Sequence, residues 1–333
     1  MRKTRGYRIN DIKNGDFLKK TCWLLVFPLN SDYLYCQFTK YMKALLLSFL
    51  LLAFGFTLSA QSAADSLLIV HKKWNKQKIS KGIFWKQAHF DKLYASNQEV
   101  NILEVKRPNK RLQVTISGVA EGFVRTSDLA RKENAIAAIN GSFFDTKKGG
   151  SVTFFKKNGT VVNETTVNDK GKRHEWANGA LSIGENHNVH IIAAEKDNKE
   201  WEEELDAREV LVCGPVLLMN DSVVTLANNA FNLNRHPRSA IAITKDNKLL
   251  LVTVDGRNKR AQGMNLNELA YLLKLLGAEK ALNLDGGGST TLFVNSERKR
   301  GILNHPTDNK RFDHEGERPV ANAILIKKSK NNP

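Results

Sequence analysis

A short apolar strand that runs straight into Asp-Gly-Gly-Gly constrains this chain more than any other feature. The strand is Ala281-Leu282-Asn283-Leu284, and the loop is Asp285-Gly286-Gly287-Gly288-Ser289-Thr290-Thr291. Three consecutive glycines cost backbone entropy, and a plain turn rarely needs three. Such a loop admits close approach of another group, and successive N–H groups there can cradle an anion. Upstream, Asn265 and Glu268 have the spacing of a capping box. Leu269, Leu272, Leu273 and Leu276 then recur on one helix face, and Gly277 fits the position that ends the helix. The block reads as helix, turn, buried strand and ligand loop. A flexible glycine turn between two strands is the plain alternative.

Most other segments read as strands. Val100–Val105 and Leu112–Ile116, separated by Arg107-Pro108-Asn109-Lys110, have the form of a hairpin. Val152–Phe155 and Val161-Val162 flank an Asn158-Gly159 turn. Ser239–Ile243 and Leu249–Val254 make a third pair. A short helix is expected after Thr126-Ser127, through Lys132. The pattern predicts an α+β fold, a mixed, strand-rich sheet with a few packed helices in a single catalytic domain.

Polar groups gather where apolar strands stop. Ala135–Ile139 ends in Asn140-Gly141-Ser142-Phe143-Phe144. Leu250–Val254 ends in Asp255-Gly256-Arg257. Arg235-His236-Pro237-Arg238 precedes one strand, and Glu317-Arg318-Pro319 precedes another. Each motif alone reads as a turn or a chain entry. Together they supply carboxylates, arginines and amides around one glycine loop, the usual construction of an enzyme site on a sheet.

Taken in order, these motifs resemble the phosphodiester glycosidase family, over roughly residues 100–328. The resemblance implies hydrolysis of the bond between a sugar's anomeric carbon and a phosphate diester. It implies a phosphate-bearing glycan or small sugar phosphodiester as the partner. The leaving phosphate is a stable anion, so fixed positive charge matters more than strong acid catalysis. Arg238 and Arg257 are the first expected phosphate ligands and Arg318 the third, since a guanidinium fork suits phosphate oxygens. The amides of Gly286, Gly287, Gly288 and Ser289 would add a nest. Asp285 is the first candidate for the catalytic carboxylate and Asp255 the second. Asn140 would orient the sugar ring or an N-acetyl group. Two nearby aspartates would also suit a hard cation, calcium or magnesium. An ATPase of the actin and Hsp70 type would need a second phosphate loop, and the sequence has none. A non-catalytic glycan-binding or envelope-assembly module is the remaining alternative.

The address lies at the other end. Met42-Lys43 and the apolar run to Ser59-Ala60 have the form of a secretory signal peptide, 42–60. At that length a cleaved signal is favoured over a stable membrane anchor. Residues 1–41 read as an over-extended start or leader, 61–95 as an N-terminal extension packed on the domain, and 96–330 as the phosphodiester glycosidase domain. The expected location is periplasmic or secreted. The formal net charge of +17 suits an anionic partner. No nucleic-acid motif accompanies it. Of the three cysteines, Cys22 and Cys36 fall in the leader, so the domain holds only Cys213 and has no internal disulfide. Cys213 sits in an apolar run and reads as a buried, inert thiol.

Overall fold

The computed structural model describes residues 39–43, 63–106, 112–168, 170–195, 198, 200–296 and 298–329. The chain divides into two compact units, Met1–Ser59 and Ala60–Pro333. In the first, residues 39–43 are helical; the rest of the expected leader and signal peptide lies outside the described residues. Among the described residues, no helix is long and apolar enough to cross a membrane.

The second unit opens with helix α1, residues 63–70. Then follow β1 (Asn75–Ser80), β2 (Ile83–Leu93), β3 (Ser96–Lys106), β4 (Leu112–Gly118), β5 (Val124–Arg125), α2 (Thr126–Lys132) and β6 (Ala137–Asn140). The middle of the chain carries β7 (Phe155–Lys157), β8 (Thr160–Asn163), β9 (Gly179–Ile183), β10 (Val189–Ala193), β11 (Glu209–Cys213), β12 (Val216–Met219), β13 (Ser222–Val223) and α3 (Ala230–Leu233). The last part holds β14 (Arg238–Thr244), β15 (Lys248–Val254), α4 (Leu266–Leu275), β16 (Ala278–Asn283), β17 (Leu292–Val294), β18 (Pro319–Val320) and β19 (Asn322–Lys328).

The fold is α+β. An eight-stranded sheet has the order β1-β2-β3-β15-β14-β16-β12-β13, a five-stranded sheet the order β10-β9-β11-β7-β8, and a four-stranded sheet the order β17-β6-β19-β4. A small pair, β18-β5, completes the set. Side chains alternate across each strand. On β14, Ile241 enters a core shared by the three larger sheets, with Leu251, Leu282, Ile139, Ile324, Leu181 and Leu211. Its neighbours Ala240 and Ala242 face the opposite side, against Leu269, Leu272 and Leu273 of α4. The alanines are small because a helix lies directly on them.

Helix α4 forms as its residues dictate. The Asn265 side chain accepts from the Glu268 N–H, and the Glu268 side chain accepts from the Asn265 N–H, so both halves of the capping box are made. Gly277 takes φ +87° just past the helix end, a value that glycine tolerates without a Cβ penalty. Glu268 also pairs with Arg235 at 2.5 Å, which anchors the chain entering β14.

Two expectations change. The segments 100–105 and 112–116 do not pair with each other. β3 lies between β2 and β15, and β4 pairs with β19, so the chain crosses from one sheet to another between them. The stretch 61–95, expected as an extension packed on the domain, supplies β1 and β2 to the largest sheet itself, with β2 paired to β3 from Ile83 to Leu93. The hairpin β14-β15 forms as expected, and β7 and β8 pair across the expected Asn158-Gly159 turn, although the first strand runs from Phe155 to Lys157 and leaves residues 152–154 outside it.

Leu272 is fully buried on the sheet-facing side of α4. Leu272→Ala is expected to lower unfolding free energy by about 2–5 kcal/mol through lost burial and an incompletely collapsed cavity. Urea denaturation measures it; a loss under about 1 kcal/mol would show that α4 does not hold the sheet.

Candidate active site

Antiparallel pairing brings the strand-end motifs to one edge. Arg238, first in β14, stands opposite Val254, last in β15. Asp255, Gly256 and Arg257 therefore emerge beside His236 and Pro237. β16 runs against the other side of β14, with Asn283 opposite Ala240, so the glycine loop leaves at the same edge. From the four-stranded sheet, Asn140 at the end of β6 stands opposite Ala323, close to where Arg318 leads into β18 and β19.

Asn140 joins these pieces from below. It is fully buried. Its Nδ2 donates to the Asp285 carbonyl at 2.6 Å, while its Oδ1 accepts from Ser239 Oγ at 2.7 Å and from the Thr291 N–H at 3.1 Å. The Asp285 N–H in turn donates to the Gly141 carbonyl at 3.0 Å. Asn140 is thus a brace for the loop, committed to the protein, and does not meet a sugar as expected.

The loop uses its glycines to admit side chains. A Cβ on Gly287 would meet Arg257 Nη2 at 3.0 Å, and a Cβ on Gly288 would meet Arg318 Cζ and Nη2 at 2.6 Å. Two guanidinium groups therefore rest on two successive glycines. Gly286 faces the Pro237 carbonyl, which a Cβ would meet at 2.7 Å. Gly287 has φ +63° and Arg257 φ +60°. Arg257 is exposed, and Arg318 is half-buried and pairs through Nη2 with Asp308 at 2.5 Å. Glu317, beside it, accepts from the Ser127 N–H at 2.8 Å and Ser127 Oγ at 2.6 Å. It thereby satisfies the start of α2, where Arg125 offers no side-chain cap.

Three of the four amides of the expected nest are engaged. The Gly286 N–H donates to Asp285 Oδ1 at 2.9 Å, Gly287 to the Pro237 carbonyl at 2.8 Å, and Ser289 to the Gly286 carbonyl at 3.2 Å. These donors are consumed in shaping the loop as a single 3₁₀ turn, Gly287–Ser289.

Burial pushes the Asp285 carboxyl up to about 6, while the Ser289 hydroxyl, the Gly286 amide and the Arg318 charge pull the other way. A carboxyl pushed up to about 6 within reach of the Arg318 charge, on a loop that carries two guanidinium groups, has the properties of a reacting group. His236 is held below its usual value by burial and by the charges of Arg238 and Arg257.

Two other expected residues act at one remove. Asp255 is fully buried. Its Oδ1 accepts from the His305 N–H at 2.9 Å and Asn304 Nδ2 at 3.2 Å, and its Oδ2 pairs with His305 Nδ1 at 2.8 Å. It orients His305 and is closed to substrate. His305 itself is partly exposed and stacks on Phe312, with centroids 4.0 Å apart. Asn304 Nδ2 also donates to the Thr290 carbonyl at 2.9 Å, which ties this Asp–His pair to the end of the glycine loop. His305 does not stand out in the sequence, although Ile302-Leu303 followed by Asn304-His305-Pro306 has the same apolar-then-polar form as the other strand ends. Arg238, the second correction, is only 2 % exposed. Its Nε donates to the Met264 carbonyl at 3.0 Å and its Nη2 to the Phe231 and Asn234 carbonyls at 2.8 Å each. Even position on β14 turns it toward α4, away from Ser239 and Asn140, so it holds backbone and not phosphate.

The residues present do not fit a calcium or magnesium cage. Asp255 faces N–H donors, Asp285 faces the Gly286 amide and the Arg318 charge, and among the described residues no group of three or more His, Cys, Asp or Glu side chains converges. Cys213 is buried and its thiol is pushed up by burial, an inert group as its apolar run implies.

Gly288→Ala is expected to displace Arg318, the far end of a flexible side chain, with a stability change of about 0.5 kcal/mol or less. Affinity for inorganic phosphate, read by calorimetric titration, should fall roughly tenfold or more for one lost guanidinium contact. Gly286→Ala presses on fixed backbone and should instead lower the melting temperature. Unchanged phosphate affinity in Gly288→Ala would remove Arg318 from the site.

Comparison with known proteins agrees with this geometry. The sequence model of the phosphodiester glycosidase family matches residues 133–327. The SPbeta prophage-derived uncharacterized protein YomE of Bacillus subtilis (strain 168) is 40% identical over 60 residues, 18% of this chain and 9% of that protein. N-acetylglucosamine-1-phosphodiester alpha-N-acetylglucosaminidase of mouse is 35% identical over 72 residues, 22% of this chain and 14% of the enzyme. The bovine enzyme is 36% identical with the same coverage. The matched stretches thus span a small part of these relatives. Among solved structures, the zebrafish catalytic domain of the same enzyme, auto-inhibited by its pro-peptide, superposes with a TM-score of 0.56 at 20% identity, over 77% of this chain and 84% of that one. A protein of unassigned function from Synechocystis gives 0.55 at 17% identity, over 77% of this chain and 64% of that one. These two likenesses show a shared fold, and the family match runs from the end of α2 through β19, across every strand end that meets at the glycine loop. The chain belongs to the phosphodiester glycosidase family.

Proposed function

We propose that this protein hydrolyses the C1–O bond of a sugar-1-phosphodiester in a glycan or envelope polymer, releasing a free sugar and a phosphate monoester. The observation that carries the reading is Asp285, titrating at about 6, beside a loop on which the guanidinium groups of Arg257 and Arg318 rest. The arginines hold the phosphate and neutralise the charge that builds as the C1–O bond breaks. Asp285, ionised above its pKa, faces the positive charge that develops on the sugar ring. His305, oriented by Asp255, takes a proton from the water that adds to C1. The phosphate monoester leaves as a stable anion and needs little protonation. The enzymes of mouse, cow and zebrafish named above act on N-acetylglucosamine-1-phosphodiesters by their names, which supports this reaction class and leaves the sugar open.

Export belongs to the same proposal. The segment Met42–Ala60 directs the protein to the periplasm or beyond, where phosphate-bearing envelope glycans lie. The basic balance of the chain favours such a partner.

Asp285→Asn is expected to lower turnover of a synthetic sugar-1-phosphodiester by about 10²–10⁴. Its effect on stability has a definite sign. A carboxyl raised in the folded state favours folding below its unfolded value, near 3.9, and that contribution is lost as pH rises through about 6. At pH 7 the ionised group therefore opposes folding. The Asn variant should melt higher than the parent at pH 7, with the gain vanishing below about pH 4. In the parent, turnover should fall as pH drops through about 6. Near-parental turnover in the Asn variant would sink the assignment of the central carboxylate.

A further inference from the structure

A cleft of about 520 Å³ is lined by Trp176, His174 and Phe231, with Asn178, Asn229 and Asn232 among its polar residues, and joins the loop's surroundings through Pro215 and Phe231. Its volume is that of a small-molecule site. The aromatic wall is preassembled. His174 stacks on Trp176 with centroids 4.6 Å apart and planes at 9°, Trp176 meets Phe143 at 4.2 Å, and Phe143 meets Phe231 edge-on at 5.9 Å. The wall is fastened to the active site. The Phe231 carbonyl accepts from Arg238 Nη2, and the carbonyl of Pro215, another lining residue, accepts from the Asn283 N–H at 3.1 Å. Phe143 follows Asn140 by three positions.

One buried group in the cleft has a capacity left over. Asn232 is 4 % exposed. Its N–H donates to Asn229 Oδ1 at 3.0 Å and its Nδ2 to the Ala227 carbonyl at 2.7 Å, while its Oδ1, sealed from solvent, has no partner among the described residues. A buried acceptor without a donor is costly unless something brings one. Net charge is not what the cleft offers. Lys172 lies 3.7 Å from Glu175, and Arg173 Nη1 donates to the buried Glu202 at 2.8 Å. Flat aromatic rings and the amide side chains of Asn178 and Asn229 suit a neutral ring with apolar C–H faces and hydroxyl groups on its edge. That is a sugar, and not the phosphate that suits the arginine pair.

We propose that this cleft is a saccharide subsite, which takes an uncharged sugar ring of the same glycan whose phosphodiester lies at the glycine loop. The assignment rests on the hydrolase reading for its place in the reaction. The cleft makes the enzyme selective for extended glycans: a short diester fills only the arginine end.

The test compares a methyl diester of a sugar-1-phosphate with a diester carrying an oligosaccharide, in the parent, in Trp176→Ala and in His174→Ala. His174 is exposed, so its loss spares the fold should Trp176→Ala unfold. On the extended substrate kcat/KM should fall about five- to tenfold for loss of an aromatic contact, and on the methyl diester by less than about twofold. Equal losses on both substrates, or none on either, overturn the subsite. Binding is read separately by calorimetry on the Asp285→Asn protein with tetra-N-acetylchitotetraose and with cellotetraose. Binding of either that disappears with His174→Ala or Trp176→Ala supports the subsite, even if neither diester is cleaved and the hydrolase reading fails. No binding of either overturns the subsite, even if the methyl diester is cleaved.

Discussion

The site depends on the side-chain amide of Asn140. One residue at the end of β6 reaches the glycine loop through Asp285 and Thr291 and the start of β14 through Ser239. It thereby ties the four-stranded sheet to the eight-stranded one at the edge where the chemistry sits. Both polar ends of the amide are used in a fully buried place, so no part of the network has water as a substitute partner. Without that clamp, Asp285 would lie at the end of a glycine run with many accessible conformations.

The glycines acquire a second meaning from this geometry. The N–H groups of Gly286 and Gly287 are spent on Asp285 and on the Pro237 carbonyl, and the missing side chains are what matters: Arg257 and Arg318 occupy the space that side chains on Gly287 and Gly288 would fill. The loop is a shelf for two cations. It is also a shelf for a carboxyl pushed up to about 6 by burial. In the proposed reaction, fixed positive charge at one side and a titrating carboxyl at the other would divide a sugar phosphodiester into its two halves, one anionic and one becoming cationic as the bond breaks. The aromatic cleft beside them is neutral, which sets a third environment along the same edge.

Much of this was legible in the sequence because it was local. The capping box of Asn265 and Glu268, the leucine face of α4, the end at Gly277 and the strand running into Asp285 are all set by neighbours within one turn or one pleat. The convergence of Arg257, Arg318 and Asp285 followed from noticing that several apolar strands end in polar residues. What stayed hidden depended on partners far along the chain. β3 and β4 look like a hairpin, and only the placement of β2, β15 and β19 separates them. Arg238 looks like a phosphate ligand until the alternation of β14 turns it onto the carbonyls of Met264, Phe231 and Asn234. Asp255 looks exposed after its strand until His305, 50 positions later, covers it. Three of the amides at the glycine run look free until Asp285, Pro237 and the turn itself take them.

The central claim is that the sugar carbon, and not phosphorus, is attacked. Hydrolysis of a sugar-1-phosphodiester in water enriched in oxygen-18 tests it most directly, with the products read by mass spectrometry. The account predicts that the label enters C1 of the released sugar and is absent from the phosphate monoester. Label in the phosphate monoester would mean attack at phosphorus, and would contradict a mechanism in which Asp285 faces the sugar cation and the arginine pair holds the leaving phosphate.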